Sequence, residues 1–199
     1  MRVAVRRVGP CPWLVPSAWG VALAAALAGC IEADYPGRWP ALAPASGDCP
    51  SIAGHYRNEG ERGESTGVTW PVHLTGFLMP ELPDSEAATI DTVEISEPAG
   101  AGGAIEIAAV RGGQVVSSRR LLAGQQEYEC VDGCIETSSS RWANEQAVGK
   151  QWDTDAYCRG VDGSLIVKST SSGMGVILLV IPVGGSESNW FRFRPRGYP

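Results

Sequence analysis

Ser164-Leu-Ile-Val-Lys-Ser169, Met174-Gly-Val-Ile-Leu-Leu-Val-Ile-Pro182 and Asn189-Trp-Phe-Arg-Phe-Arg194 are the three stretches that decide the fold class. Asp162-Gly163 is a turn signal, and after it Leu165 and Val167 fall on one face of a strand. The run from Met174 to Pro182 is rich in β-branched residues and much shorter than the roughly 20 residues a membrane-spanning helix needs. It predicts a central strand buried on both faces. Gly184-Gly185-Ser186 predicts the turn into the last stretch, where Phe191 and Phe193 point inward and Trp190, Arg192 and Arg194 point out. On that reading Val180→Asp is highly disruptive, because it buries an unpaired carboxylate.

Upstream, the same period-two pattern recurs in shorter pieces. Val93 and Ile95 alternate with Thr92, Glu94 and Ser96, and Ile105, Ile107 and Ala109 share a face opposite Glu106 and Ala108. Gly112-Gly113 turns the chain into 114–118, and 126–131, 134–138 and 140–144 continue the series. Short alternating runs between Gly, Pro and Asp-Gly turns predict an all-β fold, an antiparallel meander forming a small barrel or sandwich. The Gly102-Gly103 and Gly112-Gly113 pairs lack the strand, spacing and following helix of a phosphate loop, so they read as turns. One short helix is expected near residues 71–79, with Pro71 at its start. His73, among Val72, Leu74 and Phe77, reads as a packed core or edge residue.

The N-terminus carries a different signal. Arg2, Arg6 and Arg7 precede an apolar run from Ser17 to Ala28, and no acidic residue occurs before Glu32. This is the build of a secretory signal, with a basic start and a short apolar stretch. The run closes on Leu27-Ala28-Gly29-Cys30, which resembles the lipobox of bacterial lipoproteins. The resemblance implies cleavage before Cys30, fatty acylation (palmitate) of that cysteine, and attachment to a bilayer through more than one chain, which makes the attachment stable. Ile31 after the cysteine resembles outer-membrane sorting. The expected organisation is a signal peptide over 1–29, a lipidated Cys30 with a flexible tether to residue 48, and one disulfide-stapled β domain over 49–199. Cys49-Pro-Ser-Ile-Ala-Gly-His-Tyr-Arg-Asn-Glu-Gly60 also resembles the start of a group of uncharacterised proteobacterial lipoproteins, C-P-x-[LI]-x-G-x-Y-x-N-x-G. Its glycine–aromatic pair resembles the first strand of lipocalins.

Charge and cysteines agree with export. Taking the three N-terminal arginines from 16 basic residues leaves 13 against 22 acidic, a formal charge of −9 for the mature chain. Such a balance argues against a nucleic-acid partner. Counts of 25 Gly and 14 Pro suit strands and turns. Cys49, Cys130, Cys134 and Cys158 remain as disulfide candidates with three possible connectivities, of which Cys49–Cys130 with Cys134–Cys158 is preferred. Their spacing and the distant His55 and His73 do not suit a metal site, so neither metal nor other cofactor is expected.

For chemistry the chain offers little. It has no Gly-x-Ser-x-Gly elbow, and neither histidine has an acidic neighbour in sequence to orient it. Asp153 and Asp155 in Trp152-Asp-Thr-Asp-Ala-Tyr157 fall short of a calcium loop and read as a solvated loop. Arg192, Arg194 and Arg196 beside Trp190 and Tyr198 are the candidate anion-binding set. The expected function is that of a non-enzymatic envelope lipoprotein at the periplasmic face of the outer membrane. Its partners would be the membrane, through the lipid, and an envelope protein, lipid or polymer. The alternative is a lipocalin-like carrier of a small apolar ligand. A hydrolase of envelope polymers would need an acidic pair or a Ser-His contact inside a cleft.

Overall fold

Two antiparallel sheets face each other across one hydrophobic core in the computed structural model, which describes residues 28–44, 50–63, 71–97, 103–123, 127–143, 148–177 and 181–197. In chain order the strands are β1 (Ala28–Glu32), β2 (Gly54–Arg57), β3 (Glu59–Arg62), β4 (Val72–His73), β5 (Thr92–Ser96), β6 (Ala104–Arg111) and β7 (Gln114–Leu122). They continue with β8 (Glu129–Val131), β9 (Cys134–Ala143), β10 (Val148–Arg159), β11 (Leu165–Ile177) and β12 (Ile181–Phe193). The smaller sheet runs β2-β5-β6-β7. The larger runs β4-β3-β12-β11-β10-β9-β8, and β1 lies parallel to β12 beyond the end of β3.

The alternation in the sequence becomes the core. Val93, Ile95, Ile107 and Ala109 of the smaller sheet are buried, as are Leu165, Val167, Phe191 and Phe193 of the larger. Turn chemistry sets the register of the hairpins. Gly112-Gly113 joins β6 to β7 and Asp132-Gly133 joins β8 to β9, all four residues at positive φ. Two-residue hairpin turns of this twist need that conformation, which Asp-Gly and Gly-Gly supply cheaply.

The motif Gly54-x-Tyr56-x-Asn58-x-Gly60 is the corner where the chain leaves one sheet for the other. Tyr56, on β2, is buried and donates its hydroxyl to the Ile52 carbonyl at 2.8 Å. A Cβ on Gly60, in β3, would stand 2.3 Å from the ring of Phe193. Between them Asn58 is fully buried. Its Nδ2 donates to the carbonyls of Ala87 (2.8 Å) and Ile90 (3.3 Å), while its Oδ1 accepts from the amide and hydroxyl of Thr75 (3.0 and 3.1 Å). One side chain thus fixes α1 (Leu74–Leu78) and α2 (Asp84–Ala87) against the corner.

Several details of the sequence reading are corrected. The helix near 71–79 is present but starts after β4, and α2 is a second helix that the sequence reading did not anticipate. The run 174–182 is not one central strand: β11 ends at Ile177, β12 starts at Ile181 opposite it, and Met174 is 65% exposed. Gly184 and Gly185 lie inside β12, across from Met174 and Gly173, and Val180 is outside the described residues. The supposed tether is docked where it is described. Tyr35 and Trp39 pack on Trp190, Ile166 and Cys158 on the outer face of the large sheet, and the Ala43 amide donates to the Arg159 carbonyl at 2.7 Å. Of the two expected all-β forms the sandwich is the one present: the sheets do not close into a barrel, and their interior is filled by their own side chains.

The Cys134–Cys158 bridge is present, linking neighbouring strands β9 and β10. Cys130 is disulfide-bonded as well, and Cys49, its expected partner, is outside the described residues. The lipobox is only partly described: Leu27 lies outside, and Ala28, Gly29 and Cys30 form the start of β1. No helix among the described residues is long and apolar enough to cross a membrane.

Candidate functional site

Strands β9, β10 and β11 are longer than the sheet that covers them, so their inner face outruns the core. Cross-strand partners share a face, and the register therefore defines rows. The row Ile135–Tyr157–Val167–Phe191 is still core. The next is Thr137–Asp155–Ser169–Asn189, then Ser139–Asp153–Ser171–Glu187, then Arg141–Gln151–Gly173. The inner face changes from apolar to polar within one step of the pleat.

These polar rows form the floor of a cleft of about 480 Å³, walled by the 76–80 segment and by Arg119 and Leu121 of β7. Two bonds fix the wall to the floor. The Tyr157 hydroxyl donates to the Phe77 carbonyl at 3.3 Å, and Arg119 donates to the Leu78 carbonyl at 2.8 Å. Towards the open end Gln151 donates to Ser171 (2.8 Å) and Asp153 (3.1 Å), and Arg141 donates to Gln151 at 3.3 Å with Asp153 at 4.0 Å.

Asp155 is the least comfortable group in the cleft. Burial pushes its carboxyl above the usual carboxylate range and the charge of Asp153 adds to this, while a hydrogen bond from Ser169 opposes both. Its Oδ1 is buried without a hydrogen-bond partner in the protein. Burial also raises the Tyr157 phenol, which stays a neutral donor at any ordinary pH. The solvated loop expected around Asp153 and Asp155 is therefore overturned. Both sit on a strand and face into a cleft, because residues two apart on β10 share its inner side.

The arginine set fares differently. Arg192 donates to Asp162 at 2.6 Å and lies 3.7 Å from Glu61, and Arg194 pairs with Glu61 at 2.6 Å. Burial pushes the Asp162 carboxyl up, but hydrogen bonds from Ser164 and Arg192 prevail and hold it below its ordinary value. The cations of Arg192 and Arg194 are thus each paired with a carboxylate, and Arg196 is exposed. His55 does have an acidic neighbour, Glu94 at 3.1 Å across β2 and β5, in an exposed pair away from the cleft. His73 is half-buried at the sheet edge on β4, opposite Glu59. Among the described residues no group of three or more His, Cys, Asp or Glu side chains could hold a metal ion.

Thr137, Ser139, Ser169, Arg119 and Tyr157 were not singled out from the sequence. The signal was present in Thr137-x-Ser139-x-Arg141 and Asp153-x-Asp155-x-Tyr157, a period of two written in polar residues. The arrangement offers acceptors, donors and a neutral phenol in rows beside the Phe77 ring, a set suited to a ligand dense in hydroxyl groups. No protein-family model, no curated protein and no solved structure matches this chain.

Proposed function

We propose that the protein is a lipid-anchored envelope lipoprotein at the periplasmic face of the outer membrane and that its cleft binds a hydroxyl-rich stretch of an envelope polymer. The anchor rests on the Leu27-to-Cys30 motif. The binding role rests on one observation: the unpartnered Oδ1 of Asp155, buried amid rows of hydroxyls in an otherwise polar cleft. A ligand hydroxyl would reach that oxygen once the Asp155 side chain turns towards the cleft, and the bond would relieve its desolvation, with Arg119 and Tyr157 bounding the ligand on the wall side. The apolar-carrier alternative lacks a comparable support, since the sheets enclose side chains rather than a barrel interior. The test is calorimetric titration with soluble glycan fragments of the envelope. Saturable binding that weakens about tenfold or more in Asp155→Asn, the loss expected for one charge-assisted bond, supports the reading. Absence of binding, or equal affinity in the variant, refutes it.

A second reading, hydrolysis of the same polymer, is favoured by the acidic pair. Burial holds the Asp155 carboxyl above the usual carboxylate range, and Asp153, two residues away on the same face, lies 4.0 Å from the Arg141 guanidinium; a raised acid beside an ion-paired carboxylate is the kind of pair that glycoside hydrolysis uses. Release of new reducing ends on prolonged incubation, abolished by Asp155→Asn, would select this reading over simple binding.

A further inference from the structure

The opposite, outer face of the same strands has its own gradient. Near the docked 33–43 segment it is covered, but beyond Ser138 and Thr154 it is open. There the register aligns Trp142, Lys150 and Met174 in one row and places Trp152 in the adjacent one. Trp142 is 70% exposed and Met174 65%, and the Lys150 ammonium lies 5.4 Å from the Trp152 ring. Trp142, Trp152 and Met174 thus fall in two neighbouring rows around a lysine.

The position of β1 says what this patch faces. β1 runs parallel to β12, with Ala28 beside Gly184 and Cys30 beside Ser186. Gly184 belongs to the row of Met174, and Ser186 to the row of Ser172 and Trp152. Followed towards its N-terminus, the chain therefore leaves the sheet at the end that carries the exposed tryptophans. Neighbouring strands are about 4.8 Å apart, so the Cys30 backbone lies about 15 Å from that of Trp152, three strands away. No slack separates them, because Glu32 pairs with Lys168 at 2.9 Å and the Trp190 indole donates to the Ala33 carbonyl at 2.9 Å.

From this juxtaposition we infer that Trp142, Lys150, Trp152 and Met174 form a bilayer-docking surface, seated at the headgroup–acyl boundary of the membrane that holds Cys30. The inference rests on the lipid-anchor reading above. Tryptophan suits this depth because its ring is apolar and its indole N–H polar, and a lysine beside it keeps its ammonium among lipid phosphates. Docked so, the long strands meet the membrane with their outer face, and the cleft on the inner face stays turned to the aqueous side.

The full chain, expressed with its own signal, is purified and reconstituted into phosphatidylethanolamine–phosphatidylglycerol vesicles containing brominated phospholipid. Vesicle flotation reports the anchor, and bromine quenching of tryptophan reports the docking. Protein that floats and is quenched, with most of the quenching lost in Trp142→Tyr/Trp152→Tyr at unchanged circular dichroism, supports the inference. Moving Met174→Ser into the Cys30→Ser background should lower the residual vesicle affinity about tenfold, as expected for one large apolar side chain withdrawn from lipid. Protein that floats with equal, negligible quenching in both forms overturns the docking surface and leaves the anchor standing. Protein that does not float overturns both. A detergent-stable dimer lost in the double tyrosine variant would assign the face to a second copy and overturn the proposal.

Discussion

Replacing Asn58 by alanine tests whether one buried amide organises the corner between the sheets. The side chain makes four hydrogen bonds, two donated to carbonyls and two accepted from Thr75. Not all four partners are stranded by its loss. The Ala87 carbonyl still receives the Ile90 amide at 3.2 Å. The Thr75 amide and the Ile90 carbonyl lose the partner that the corner supplies, at a position sealed from solvent. A buried polar group left unsatisfied costs about 1–3 kcal/mol, so the variant should lose about 2–5 kcal/mol. That is a large part of the stability of an ordinary domain. Urea unfolding followed by tryptophan fluorescence measures it, with the slope of the transition checked for constancy. Asn58→Asp should be no milder, since it keeps the acceptor for Thr75 but turns a second carboxylate oxygen on two carbonyls. A loss below about 1 kcal/mol in the alanine variant would refute the assignment.

The other predictions concern packing, titration and cross-linking. Gly60→Ala should destabilise by about 1–3 kcal/mol in the same assay, because its Cβ would stand 2.3 Å from the buried Phe193 ring; wild-type stability would show that the ring has room to yield. Asp155 has a raised carboxyl, so the folded protein holds that proton to higher pH than the unfolded chain. Stability therefore falls as pH rises from the ordinary carboxylate range through the raised value, and stays reduced above it. Asp155→Asn should remove this fall and be more stable than wild type at neutral pH, and a thermal-melting series against pH that gave parallel curves would contradict it. Asp162 has the opposite sign: its lowered carboxyl contributes stability above the ordinary range that is lost as pH falls. Asp162→Asn should flatten the acid limb of the same curves. Opening Cys134–Cys158, which spans 24 residues of sequence, by Cys134→Ser should cost about 3 kcal/mol in the chain-entropy picture; an unchanged unfolding midpoint would count against it.

Wherever one face of a strand is dry and the other wet, the sequence was readable. Phe191 and Phe193, and Ile105 and Ile107, alternate for that reason, and their inward placement follows. The Asp-Gly and Gly-Gly turns were readable because few residues adopt positive φ cheaply. The alternation fails on β9 and β10, where both faces of a long stretch meet water and the polar rows look like loop. It also fails at 174–182, where apolar side chains signal burial although the chain reverses between Ile177 and Ile181. Tyr35 and Trp39 sit in a proline-rich stretch with no period, and they are ordered only because Trp190 and Ile166 leave an apolar hollow on the outer face. The cleft was missed by the same logic: Asp155 becomes unusual only when α1 and β7 are laid over it.

On the proposed lipid-anchor reading, the parallel strand β1 bears on the order of events during maturation. The scissile bond implied by the lipobox, between Gly29 and Cys30, lies within a strand hydrogen-bonded to β12, near the C-terminus. Under that reading, a peptidase that needs a free extended chain would have to cut before residues 184–188 pair with that edge. Maturation under that reading would be a race between the peptidase and the pairing of β12 with β1. A pulse-chase in which slowed signal cleavage leaves a protease-resistant, permanently unprocessed precursor would register the late arrival; a precursor still cut after folding would not fit.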